Sequence, residues 1–329
     1  MTGIAGTRRL AGAFLLLLAL SGCATPPQTR QLLADRPDNL PVAVELTKTP
    51  FYPQQQYQCG PAALATVLSA QGTPVTPDEL VESVYLPELH GSLPEEMTAT
   101  ARRYRMLAYP LSGSLTSLLT EIAHGNPVLV MQNLGNDWFE NWHFAVVIGY
   151  DLENKTLILR SGTTKRWHTT LAVFERTWAR SDYWALVILP PGEIPASAGL
   201  FPYLQAAHDL ETTGQADAAL SAYRAASFRW PQETAAWLAY GNTLYAGNDA
   251  DAAAEAFRQV IRLSPHDPQG WNNLAYALLQ TGCPQQARAA AACAVAHGAG
   301  NSVYSETQEE IGQLASGADR RGCVAIDCR

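Results

Sequence analysis

Gln54-Gln55-Gln56-Tyr57-Gln58-Cys59-Gly60-Pro61-Ala62-Ala63-Leu64 decides how this chain is read. A cysteine stands at the head of an apolar run with helical spacing. Pro61 suits a first helical turn, where its missing N–H would have no partner. Ala62, Ala63, Leu64, Val67 and Leu68 bury the body of such a helix and fix the sulfur at its start. The free N–H groups of a helix N-terminus favour a thiolate, the form of cysteine that attacks carbon. Gly60 is expected to let a substrate backbone come close. A glutamine a few residues upstream can supply an amide donor to a developing oxyanion. A second stretch, Trp142-His143-Phe144-Ala145-Val146-Val147-Ile148-Gly149-Tyr150, sets an imidazole at the start of a near-continuous apolar run. Such a run reads as a central strand, and a rigid strand can aim a base.

The Gln–Cys-Gly-Pro-Ala segment, Gly125-Asn126-Pro127-Val128-Leu129-Val130, and His143 through Gly149 together resemble the C39-like peptidases, a branch of the papain-like cysteine peptidase fold. The resemblance covers residues 50–190. It implies Cys59 as nucleophile and His143 as general base and acid. It implies Gln54 as the oxyanion donor, with Gln55 as the alternative, and the Cys59 backbone N–H as second donor. The family usually carries an Asp on the strand after the histidine. Here that strand reads Leu157-Ile158-Leu159-Arg160-Ser161-Gly162, and Ser161 falls at the Asp position. A hydroxyl can accept from imidazole but stabilises imidazolium less. Asp151 and Asn141 are the other candidates near in sequence. The group is best known from bacteriocin exporters that cut after paired glycines. The Gly-x-x-x-x-Gly-Lys-Ser/Thr motif does not occur here, so neither the transporter role nor that specificity carries over.

Around the two stretches the local signals give an α+β order, helices first and an antiparallel sheet after. A helix is expected over Cys59–Ala70. Thr76-Pro77-Asp78-Glu79 has a capping-box pattern, and Ser92-Leu93-Pro94-Glu95 repeats it. A third helix is expected over Leu115–Ala123. Strands are expected at Val128–Gln132, His143–Tyr150, Thr156–Arg160 and Tyr183–Leu189.

The C-terminal part repeats with a period of 34: Tyr203, Trp237 and Trp271; Gly214, Asn248 and Gly282; Ala219, Ala253 and Ala287; Tyr223, Phe257 and Ala291. Pro231 and Pro265 close the first two units. Small alanines let paired helices approach, aromatics fill between them, and Gly or Asn takes the turn. This resembles the tetratricopeptide repeat, which implies an all-α stack and a protein or peptide partner in its groove. The expected layout is a targeting segment at 1–22, a tether at 23–41, the peptidase domain at 42–190, a linker at 191–199, three repeats at 200–301, and a capping helix with a cysteine-containing tail at 302–329.

Arg8 and Arg9 precede an apolar run, Leu10–Leu20, too short to span a bilayer as a stable helix. It ends in Leu20-Ser21-Gly22-Cys23, which resembles a bacterial lipobox and implies lipidation of Cys23. Ala24 follows rather than Asp, which points to an outer-membrane lipoprotein facing the periplasm, held to the membrane by its lipid. Removing residues 1–22 takes away Arg8 and Arg9 and moves the net charge from −8 to −10. With no basic tract, nucleic-acid binding is disfavoured. Cys283, Cys293, Cys323 and Cys328 suggest two disulfides in an oxidising compartment. Ten residues of helix span roughly 15 Å, which disfavours Cys283 with Cys293. Metal binding is disfavoured by their spacing, and no cofactor is expected. His90, His124, His168, His208, His266 and His297 read as surface or capping residues. Trp138, Phe139 and Trp142 either line a cleft or cover the core. The function expected is a lipid-anchored periplasmic cysteine peptidase acting on a peptide or protein. A non-catalytic peptide-binding scaffold and a Cys–His acyltransferase are the alternatives.

Overall fold

The computed structural model describes residues 25–54, 57–136 and 138–328. The targeting segment, Cys23, Gln55 and Gln56 lie outside the described residues. Two compact units emerge: the described part of Met1–Pro94 with Leu111–Leu186, and Glu95–Pro110 with Val187–Arg329. The segment Glu95–Pro110, expected within the peptidase domain, thus groups with the helical unit. No helix among the described residues is long and apolar enough to cross a membrane.

In the first unit, α1 (Pro27–Ala34) precedes β1 (Ala43–Glu45), α2 (Cys59–Ala70) and α3 (Pro77–Val84). Then come α5 (Leu115–Ala123), β3 (Val128–Asn133), β4 (Trp142–Asp151), β5 (Thr156–Ser161), β6 (Thr164–Thr170) and α6 (Leu171–Ala179). The sheet is antiparallel. β4 lies between β3 and β5, β6 flanks β5, and β1 pairs with the far end of β4. Ala185 and Leu186, which open β7 (Ala185–Leu189), pair with β3. Every residue from Phe144 to Tyr150 is buried, as expected of a central strand. α2 packs on β4 through a helix whose residues Gly60–Leu68 are all buried. The capping box of α3 is formed: the Thr76 N–H donates to the Glu79 carboxylate at 2.7 Å.

The stretch read as a tether is partly folded. α1 buries Thr29 and Leu32. Its first-turn N–H groups, those of Gln28 and Thr29, donate to the buried Glu175 carboxylate at 2.9 and 2.6 Å. A carboxylate at a helix N-terminus satisfies both the unpaired donors and the helix dipole. β6 gives no strand signal in the sequence because its residues are mostly polar and exposed, as an edge strand permits.

In the second unit, α4 (Pro94–Arg103, here from Glu95) and β2 (Leu107–Pro110) join Val187–Leu189 of β7 and the helices α7 (Leu200–Thr212), α8 (Ala216–Arg229), α9 (Thr234–Ala246), α10 (Ala250–Leu263), α11 (Pro268–Gln280), α12 (Pro284–His297) and α13 (Ser302–Leu314). Arg102 of α4 pairs with Asp209 of α7. The Tyr109 hydroxyl of β2 accepts from the Gly199 N–H at 3.2 Å. The period of 34 has a structural counterpart at each step. Gly214, Asn248 and Gly282 all hold positive φ (83°, 63° and 78°) at the turns between paired helices. Gly tolerates that region and Asn is the side chain that best substitutes. Ala219, Ala253 and Ala287 are fully buried. The indoles of Trp237 and Trp271 donate to the carbonyls of Pro231 and Pro265, one repeat apart. Disulfides Cys283–Cys323 and Cys293–Cys328 pin the C-terminal tail, with Cα separations of 5.7 and 5.4 Å.

Candidate active site

Cys59 is the first residue of α2, half-buried and not in a disulfide. The backbone N–H groups of Phe144, Gly60 and Cys59 itself point to its sulfur, but burial is the larger influence and raises the thiol above its ordinary value. A helix N-terminus alone would favour a thiolate. In the folded chain desolvation outweighs those amides, because a charge in an apolar setting loses more than a few dipoles return.

Gly60 also meets a packing requirement within the fold. A Cβ at this position would lie 2.2 Å from Ser92 Oγ and 2.6 Å from Ser92 Cβ. The glycine lets the 86–93 segment close against the start of α2, which holds the sulfur in place.

His143 sits second in β4, opposite Gln132 of β3. Arg160 pairs with Val146, which sets Ser161 diagonal to His143 on one face of the sheet. The ring Nε2 and Ser161 Oγ are 2.8 Å apart. With Nε2–H donating to that hydroxyl, Nδ1 is the nitrogen that can take a proton from a thiol. Burial pushes the imidazole down to about 4. Among the described residues no carboxylate offsets that, in keeping with serine at the Asp position. Asp151 lies at the opposite end of β4 and bonds Asn154.

The chain entering β4 is held firmly. Asn133 Oδ1 accepts from the N–H groups of Gly135 and Asn141, both at 2.9 Å. Arg180 donates to the carbonyls of Asn133 and Gly135 at 3.1 and 2.6 Å. Trp142 is tied through its indole N–H to Glu140 at 2.9 Å. These bonds fix the residue before His143.

Gln54 reaches the same place from a third segment. Its N–H donates to Gly162 O at 3.1 Å, beside Ser161, and its side-chain amide donates to Phe144 O at 3.4 Å. Gln54, Cys59 and His143 therefore line one cleft of about 710 Å³. Ser161 touches the cleft through His143.

Tyr57 and His90, unmarked in the sequence as site residues, also line this cleft. His90 does cap the short 3-10 turn Pro87–Leu89, yet it also lines the cleft. Its ring packs against Tyr57, with centroids 5.2 Å apart and the planes tilted by 38°. Both hold positive φ, 48° and 64°. Trp142 lines the cleft as well, whereas Trp138 and Phe139 are 88% and 77% exposed and cover no core.

Residues 46–185 match the model of the Peptidase_C39 like family. Residues 204–268 and 241–302 match a tetratricopeptide repeat model. The chain carries a C39-like peptidase domain followed by tetratricopeptide repeats. Similar solved structures include one described as a C39-like peptidase from Bacillus anthracis, at 18% identity and a TM-score of 0.38, covering 45% of this chain and 97% of that one. Another is the peptidase domain of Streptococcus ComA, a bi-functional ABC transporter involved in quorum sensing, at 18% identity and a TM-score of 0.35, covering 43% and 98%. A chain of a CopN–Scc3 complex is similar at 18% identity and a TM-score of 0.32, over 36% of this chain and 69% of that one. Among curated proteins no match was found. The C39-like domain thus has a peptidase fold, and the repeats belong to a class of protein-interaction module.

Proposed function

We propose that the C39-like domain is a cysteine peptidase whose resting site is a neutral thiol–imidazole pair. The observation that carries this is the convergence of Cys59, His143 and Gln54 on one cleft, with Ser161 holding the far nitrogen of the ring. As Sγ bonds to a peptide carbonyl carbon, His143 Nδ1 takes the thiol proton. The oxyanion sits against the Cys59 N–H and the Gln54 amide. The C–N bond then breaks, and the amine leaves with the proton from His143, giving a thioester. Water attacks the thioester with His143 as base, and the sulfur recovers its proton as the acid leaves.

In this reading the domain is a lipoprotein held at Cys23 to the outer membrane and facing the periplasm, and the repeats recruit a protein substrate or partner. Comparing protein termini in the envelopes of wild-type and Cys59→Ala cells tests the hydrolase. A new terminus present only in wild type is expected. Identical termini, with full function of the Cys59→Ala cells, would favour the second reading, a peptide-binding scaffold. Serine in place of the Asp is the observation behind that reading. An acyltransferase would instead leave an amine-bearing product, which product mass separates. Metabolic palmitate labelling tests the anchor: it should be lost in Cys23→Ser, and labelling that persists in that variant contradicts it.

A further inference from the structure

Tyr57 and His90 are large side chains held in the left-handed region, where non-glycine residues are uncommon and backbone strain collects at functional sites. They come from separate segments, one just before Cys59 and one after the Pro87–Leu89 turn. Their rings, packed at a tilt of 38°, form one wall of the Cys59 cleft. Leu89, Leu93 and Trp142 line the same cleft and stay 59%, 40% and 43% exposed, and Tyr57 itself is 52% exposed. Apolar surface gathered around a nucleophile and left open to water marks a site that is covered by a ligand. Met131 and Phe144 continue the apolar lining inward. A cleft of about 710 Å³ is also far larger than a glycine beside the scissile bond requires.

We propose that the cleft takes a peptide with a bulky apolar side chain beside the carbonyl attacked by Cys59, and that Tyr57 and His90 form the wall that reads this side chain. The inference rests on Cys59 being the nucleophile, and its test separates the two ideas. N-acetyl-phenylalanyl, N-acetyl-leucyl and N-acetyl-glycyl p-nitrophenyl esters present the same reacting group with different side chains. Sulfur bonds to the carbonyl, p-nitrophenolate leaves, and the acyl mass appears on Cys59.

Wild type should acylate faster with the phenylalanyl and leucyl esters than with the glycyl ester, by about tenfold or more, the discrimination an apolar pocket gives. Tyr57→Gly and His90→Gly keep the left-handed backbone accessible while removing the rings. The phenylalanyl-to-glycyl ratio should fall toward one in both, through KM more than kcat. A ratio near one in wild type, with p-nitrophenyl acetate still acylating Cys59, overturns this specificity and leaves the peptidase reading standing. A wild-type ratio that is unchanged in both folded glycine variants overturns the role of the two rings. Failure of every ester to acylate Cys59 overturns both the specificity and the reading beneath it. Because an exposed thiol in an unfolded chain also reacts with these esters, a thermal midpoint measured on each variant verifies that the compared proteins are folded.

Discussion

Replacing Ser161 with Asp should move the acid limit of Cys59 acylation upward. Burial pushes His143 from 6.5 down to about 4, which disfavours the imidazolium by roughly 3 kcal/mol. Ser161 Oγ lies 2.8 Å from Nε2, so a carboxylate built there falls within hydrogen-bonding reach of the ring. An opposite charge at that range raises a histidine by roughly 1–3 units. His143 accepts a proton only when neutral. The wild-type rate should therefore hold down to about pH 4, and the Ser161→Asp rate should fail between roughly pH 5 and 7. Acylation by p-nitrophenyl acetate, followed at the wavelength where phenol and phenolate absorb equally, gives both limits. NMR titration of His143 checks the assignment. The same shift carries a stability signature. A histidine that stays neutral in the fold but protonates when unfolded contributes stability above pH 6.5, and that contribution is lost as pH falls through about 4. The urea midpoint of wild type should decline across that window more than that of His143→Gln. A wild-type acid limit near 6.5, or a Ser161→Asp variant whose limit and NMR titration both stay at the wild-type value, would refute the reasoning.

Gln54→Ala should lower turnover by about 100-fold, roughly 3 kcal/mol, if its amide meets the oxyanion; steady-state kinetics on a cleaved peptide measures it, and a change under threefold would remove Gln54 from the site. Gly60→Ala forces a methyl into Ser92 and should cost about 1–3 kcal/mol in urea unfolding, with recovery on adding Ser92→Gly; equal stability of single and double variants would contradict the contact. The two disulfides close sequence separations of 40 and 35 residues. Chain entropy assigns each at most about 4 kcal/mol. Reduction should therefore lower the unfolding midpoint of the repeat unit, and an unchanged midpoint would show that the tail adds no constraint.

Much of this was legible because the sequence signals are local. α2 and α5 fall where the helical spacing set them, since an apolar run followed by Gly72 or Gly125 marks both start and end. β4 announced itself by its continuous apolar residues. The repeats were visible because a turn with positive φ recurs and accepts little beyond Gly or Asn. What stayed hidden depends on contacts distant in sequence. Glu175 gives no hint that it caps α1. The close approach of Ser92 to position 60 comes from a residue far along the chain and leaves no mark in the local sequence. His90 reads as a turn residue because its partner Tyr57 is brought to it only by the fold. The protonation of Cys59 was misjudged for the same reason: a helix start is a local feature, but burial is not.

The most direct measurement is the intact mass of the protein after brief exposure to p-nitrophenyl acetate at pH 7, in wild type, Cys59→Ala and His143→Ala. Wild type should carry one acetyl group on Cys59, and both variants should carry none there within the same interval. An acetyl group that forms on Cys59 as fast without the imidazole as with it would contradict the pairing of these two side chains.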